Sequence, residues 1–91
     1  MWFVYIIKSI NKIYTYIGST DNIKRRLSEH NNGLVKSTKP YFPFRLAAYI
    51  AVETETKARQ LEKYFKTGSG KAVLNKRILS DEVRPAFHST K

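Results

Sequence analysis

Apolar side chains fall along this chain in three short runs separated by stretches of helical spacing. Residues 2 to 9, WFVYIIKS, are aromatic and β-branched, and predict a buried strand with Trp2, Val4 and Ile6 on one face and Phe3, Tyr5 and Ile7 on the other. Lys12 to Gly18, KIYTYIG, alternates Tyr14, Tyr16 and Gly18 against Ile13, Thr15 and Ile17. Asn11-Lys12 between the two runs suits a tight connection, so the pair reads as a β-hairpin that brings Tyr5 near Tyr16. Ser19-Thr20-Asp21-Asn22 is then a cluster of N-cap residues, and IKRRLSEHNNG after it keeps helical spacing until Asn31-Asn32-Gly33. A helix of about three turns follows from that pattern.

Residues 34 to 43 contain two of the three prolines and the basic stretch Lys36 to Lys39, and read as a loop. Phe44 to Val52 returns to strand character. Thr54 is a suitable N-cap for a second helix, with Glu55 in its favourable first turn and Ala58, Leu61 and Phe65 as its apolar stripe up to Thr67-Gly68. Gly68-Ser69-Gly70 reads as a break, Lys71 to Leu79 as a short third helix, and Ser80 to Lys91 as a loosely ordered tail. The order β-β-α-β-α-α predicts an α+β fold, a small three-stranded and mainly antiparallel sheet packed with helices, forming one domain over residues 1–79.

Size and composition narrow the function. With 91 residues there is room for one compact core, and with no cysteine there are no disulfides or thiolate metal sites. Any metal must sit on oxygen or imidazole ligands. The longest apolar run, Trp2 to Ile7, falls far short of the roughly 20 residues that span a bilayer, so a soluble, cytoplasmic protein without a membrane partner is expected. Charge adds most: 17 Lys and Arg against 7 Asp and Glu leave +10. An excess this large on a small surface attracts polyanions, which makes nucleic acid the leading partner class, although an acidic protein or anionic surface would also satisfy it.

Three sets of polar residues fall where core is expected. Ile23 and Leu27 centre the buried stripe of the first helix, and Arg26 and His30 lie four apart along one flank. There they could present a guanidinium fork and an imidazole to one phosphate, or could simply snorkel to solvent near a helix C-terminus. Glu62 falls inside the stripe of the second helix, where its partner is either Lys66, one i,i+4 step on, or a divalent cation completed by water and phosphate oxygens. Tyr5 and Tyr16 have ordinary packing roles open to them as strand residues. Gly18 nevertheless marks a bend or close approach that leaves room beside a phenol, and nearby cations could lower that phenol's pKa enough for it to act as a base.

These residues together resemble the GIY-YIG nuclease family, in particular its small single-domain bacterial members similar to the N-terminal nuclease module of the bacterial repair excinuclease. The resemblance runs from about Trp2 to Ile78: Val4-Tyr5, then Tyr16-Ile17-Gly18, Arg26-Leu27, His30 and Glu62. It implies a phosphodiester hydrolase using one Mg²⁺ or Mn²⁺ ion. Tyr5 then looks like a candidate general base, and Tyr16 a residue that orients water and phosphate. Arg26 is similar to the arginine that offsets transition-state charge, Glu62 to the metal ligand, and His30 to a histidine that aids proton transfer. Asn75 corresponds to a site asparagine. Phe3-Val4-Tyr5 stands in place of Gly-Ile-Tyr, and Ser19 stands where some members carry lysine.

The expected protein is thus a metal-dependent endonuclease, acting on DNA ahead of RNA, directed by structure or weakly by sequence, with a role in repair or recombination. Gly18, Ser19, Lys24, Arg25, Lys36, Lys39, Lys66 and Asn75 are its expected nucleic-acid contacts. A monomer is expected, with a partner protein able to supply specificity. The alternative is a non-catalytic DNA- or RNA-binding module of the same fold, whose binding is salt-sensitive and needs no metal.

Overall fold

In a computed structural model, which describes residues 1–79, the aromatic N-terminal run forms β1 (Trp2–Ser9), and its place in the sheet explains why both of its faces are apolar. β2 (Thr15–Thr20) and β3 (Phe44–Val52) flank it in the order β2-β1-β3, each antiparallel to it. A central strand covered on both faces has no polar side to present. Val4 and Ile6 face a core shared with Ile17, Ala58, Phe65 and Leu74. Tyr5 and Ile7 face a second core with Phe44. The first is covered by α2 (Glu55–Phe65) and α3 (Gly68–Val73), and the second by α1 (Ile23–Asn31), which packs Ile23 and Leu27 against it. This is the α+β architecture expected from the sequence. No helix among the described residues is long and apolar enough to cross a membrane.

The helix ends follow local chemistry. Asn22 caps α1 by accepting from the Arg25 N–H at 3.0 Å, and Thr54 caps α2 by accepting from the Lys57 N–H at 3.2 Å. Past the end of α1, Gly33 takes φ +71°, and the Leu34 N–H reaches back to the Glu29 carbonyl at 3.0 Å. That closure needs a left-handed residue, which glycine supplies without strain. Opposite Ile6 and Ile7 the β3 register slips, with Ala48 and Leu46 as their partners. The irregularity lets both Ala47 and Ala48 pack on the α2 side while Leu46 packs on the α1 side.

Three local expectations are corrected. The β1–β2 connection is longer than Asn11-Lys12: pairing resumes only at Tyr14, whose carbonyl accepts from the Ser9 N–H at 2.9 Å, and Ile13 stands fully exposed. Contacts outside the hairpin hold the connection open, since Ile10 N–H bonds to the Pro43 carbonyl and the Ser9 hydroxyl to the Tyr41 carbonyl. Within residues 34 to 43, Lys39–Tyr41 form a 3-10 turn, and the Tyr41 ring stacks on Tyr14 with centroids 3.8 Å apart. Gly68-Ser69-Gly70 opens α3 instead of interrupting the chain, because Thr67 caps it by accepting from the Gly70 N–H at 3.0 Å. A π-helical turn, Leu74–Ile78, continues it. The expected tail, residues 80–91, lies outside the described residues.

Gly70 is glycine for a packing reason, since a Cβ there would fall on the Tyr64 carbonyl in the last turn of α2. Gly68 has open space around it. Gly70→Ala is therefore expected to cost about 3 kcal/mol or more by forcing α3 away from α2, whereas Gly68→Ala should be neutral or slightly stabilising. Chemical denaturation of both variants checks this, and equal midpoints would contradict it.

Candidate functional site

The site is built on one sheet pairing. Tyr5 lies directly opposite Gly18, and a Cβ at position 18 would sit 2.5 Å from the Tyr5 hydroxyl. The sequence leaves this room for a ligand, but the Tyr5 phenol itself fills it by crossing the bare backbone of β2. Behind it, Tyr5 Oη and His30 Nε2 are 2.9 Å apart, and His30 Nδ1 lies 2.7 Å from Thr38 Oγ1. His30 and Thr38 are wholly buried and Tyr5 almost so. The imidazole is walled by Tyr16 and Phe44, with ring centroids at 5.1 and 5.8 Å. His30 therefore does not share a phosphate with Arg26, because the last turn of α1 lies over the tyrosine layer and turns the ring inward.

In front of Tyr5 opens a polar cleft of about 300 Å³, whose walls include Tyr5, Tyr16, Gly18, Arg26 and Glu62. α1 contributes Arg26, bonded to Glu29 at 2.9 Å, and Arg25, bonded to Asp21 at 3.0 Å. Glu62 reaches the cleft from α2. Its Oε1 accepts from the Ser19 hydroxyl at 2.5 Å and its Oε2 from Lys66 Nζ at 2.8 Å. Lys66 Nζ also lies 6.0 Å from the Tyr16 ring centre, so α2 supplies a cation beside a site tyrosine while Ser19 follows the glycine.

Burial divides the charge states of these groups. It pushes the Tyr5 phenol up to about 12 against a smaller opposing pull from Arg26, so the phenol keeps its proton at neutral pH. The cations beside Tyr5 thus do not bring its phenol below the usual range. Burial, aided by the Arg26 charge, drops His30 to about 4 and keeps it neutral. For Glu62 burial acts upward, but the bonds from Lys66 and Ser19 and the charges of Lys66 and Arg59 outweigh it. The carboxylate is held below its usual range.

The fold thus gathers Tyr5, Tyr16, Gly18, Ser19, Arg25, Arg26 and Glu62 around one cleft, with Lys66 attached through Glu62 and His30 behind the wall. It does not gather the others. Lys24 is exposed on α1 away from the cleft lining, and Lys36 and Lys39 are exposed in the α1–β3 connection. Asn75 lines a separate depression with Thr15, Ile17, Lys71 and Leu74, because the π-helical turn packs on the sheet face opposite Tyr5.

Sequence reasoning missed Thr38, Trp2 and Arg59. Thr38 was hidden in a basic stretch that reads as solvated loop. Trp2 and Arg59 line the cleft with the guanidinium 5.9 Å from the indole, and the only sequence signal was an arginine three residues before Glu62 on one helix. Among the described residues no three His, Cys, Asp or Glu side chains converge. A metal ion here would have Glu62 as its protein carboxylate and water and phosphate oxygens for the rest, a donor set of the kind Mg²⁺ takes.

Residues 1–77 match the family model described as GIY-YIG catalytic domain. The chain is 40% identical over 57 residues to a UPF0213 protein of Bacillus licheniformis, covering 62% of this chain and 59% of that protein. It is 55% identical over 31 residues to the uncharacterized protein L300 of Acanthamoeba polyphaga mimivirus, covering 34% and 19%. Both matches span less than two thirds of the relative's length. The solution NMR structure of a UPF0213 protein from Bacillus halodurans aligns with a TM-score of 0.55 and 27% identity over 93% of this chain and 94% of that one.

A histidine neutral and enclosed in the native state makes stability fall in acid. Its native pKa of about 4 lies below the unfolded value of 6.5, so its contribution is complete above pH 6.5 and is lost as pH falls toward 4. The loss is on the order of 3 kcal/mol or less. His30→Gln should flatten the stability profile between pH 6.5 and 4. A His30 ring titrating by NMR near 6.5 would contradict the burial argument.

Proposed function

The chain belongs to the GIY-YIG nuclease family, and we propose on that premise that it is a divalent-metal-dependent endonuclease that hydrolyses phosphodiester bonds in DNA ahead of RNA. The observation that carries this reading is the single cleft in which an ionised carboxylate, Glu62, faces Arg26 and two tyrosines on a chain of charge +10. A surface that only held phosphate would gain nothing from a carboxylate there, which repels the ligand.

In this reading the net positive charge draws the nucleic-acid backbone toward the cleft, and Arg25 and Lys66 meet it at the walls. Water attacks phosphorus, one P–O ester bond breaks, and one proton of the water ends on the departing oxygen, so the products are one phosphate monoester end and one hydroxyl end. Arg26 forks onto the phosphoryl oxygens and offsets the charge that grows there. Tyr5 works in its neutral form, held by His30, and Tyr16 orients the water and phosphate beside it. Glu62 would hold the divalent cation, which when bound would supply Lewis-acid stabilisation of the charge developing in the reaction. The substrates are chosen by structure or weakly by sequence, a partner protein supplies further specificity, and the setting is cytoplasmic repair or recombination.

One observation favours the non-catalytic alternative: both oxygens of Glu62 already have partners in Ser19 and Lys66, the arrangement of a structural ion pair. Cleavage separates the readings. Single-stranded, duplex, flap and branched DNA and RNA are incubated with Mg²⁺ or Mn²⁺ and with EDTA. The enzyme should cut at least one of them only with metal. Glu62→Gln should lose at least about 10²-fold in rate while still binding, and Arg26→Ala about 10²- to 10³-fold. Salt-sensitive binding with no metal-dependent cutting of any substrate would overturn the nuclease reading.

A further inference from the structure

Tyr5, His30 and Thr38 form a buried line of hydrogen bonds whose protons can run in either direction, since neutral imidazole donates at one nitrogen and accepts at the other. The groups around Thr38 decide which. Its hydroxyl has two acceptors within reach, His30 Nδ1 at 2.7 Å and the Val35 carbonyl at 3.4 Å. That carbonyl already accepts the backbone N–H groups of Thr38 at 3.1 Å and Lys39 at 2.9 Å, which occupy its two lone pairs. A long contact to a saturated carbonyl competes poorly with a short one to a free ring nitrogen. The Thr38 proton therefore points to Nδ1, His30 carries its own proton on Nε2, and Nε2–H donates to Tyr5 Oη.

Tyr5 must then direct its own proton elsewhere. The other hydrogen-bonding neighbour of Oη is Arg26, which has donors only and so cannot take the phenol proton. The remaining direction is the cleft, which Tyr5 lines. We infer that Thr38, acting through His30, is a positioning residue that turns Tyr5 into a hydrogen-bond donor aimed into the cleft, where it meets an anionic phosphoryl oxygen. The phosphate as acceptor rests on the nuclease reading, whereas the proton direction rests on the hydrogen-bond geometry alone. A phenol set this way grips the reacting group and does not take a proton from water.

The test reads the ring nitrogens of His30 in the full-length ¹⁵N-labelled protein near neutral pH, with the signals assigned by their absence in His30→Gln. The expected wild-type spectrum has Nε2 protonated and Nδ1 as the bare, acceptor nitrogen. In Thr38→Val the population should move toward Nδ1–H, and Thr38→Ser should restore the wild-type pattern. Nδ1–H in the wild type would overturn the inference, whatever Thr38→Val does and whether or not any substrate is cut. In cleavage, Thr38→Val should lower kcat about 10- to 100-fold with little change in KM, and Thr38→Ser should recover it. A Thr38→Val enzyme that is folded with unchanged kcat would overturn the positioning role.

Discussion

The hydrogen bond between Tyr5 and His30 is the contact on which the rest of the molecule is arranged. It joins the central strand to the last turn of α1, where His30 is wholly buried and depends on the phenol to satisfy its Nε2. In water such a bond contributes only about 1 kcal/mol, but breaking it here strands a buried polar group at a cost of about 1–3 kcal/mol. The neighbouring residues follow from that pairing. Position 18 has to be glycine because the phenol crosses it, and Thr38 has to be buried because the other ring nitrogen needs a partner. Asn31, the next residue of α1, pins the start of β3 by bonding both the N–H and the carbonyl of Phe44, at 2.6 and 3.1 Å.

The two sides of the Tyr5 ring therefore differ in electrostatic character. Behind it lies a neutral, closed layer of imidazole, hydroxyl and aromatic rings in which charge is disfavoured. In front lies a cleft whose main charged groups are paired: Arg26 with Glu29, Arg25 with Asp21, and Glu62 with Lys66. Such pairs are exposed enough to exchange partners, since surface ion pairs contribute little individually. The cations of the cleft can therefore be drawn from their carboxylates, while the phenol between the two layers is held by His30.

Much of this fold is written locally in the chain. The period-2 aromatic run of β1 sorts its two cores correctly because the strand is central. Asn22, Thr54 and Gly33 mark helix ends because capping is a short-range event. What escaped depends on distant contacts. Ile13 reads as strand until the hairpin loop proves to be held by Pro43 and Tyr41, and Gly70 reads as a break until Tyr64 packs against it. The cleft was half legible. Spacing marks Tyr5, Tyr16, Arg26 and Glu62, but it cannot distinguish a histidine facing phosphate from one facing inward, nor a buried Thr38 from a solvated loop threonine. Asn75 shows the reverse case, in which a residue of matching type lines a depression separate from the cleft.

The architecture of the site stands on energetic coupling between Tyr5 and His30, and a double-mutant cycle measures it directly. Tyr5→Phe, His30→Ala and the double variant are unfolded in denaturant at pH 7 and their stabilities compared with the wild type. A buried, mutually satisfied pair predicts a coupling of about 1–2 kcal/mol, with the double variant less destabilised than the sum of the singles. Strict additivity would mean that the bond does not hold the phenol, and the arrangement of the site built on it would fall.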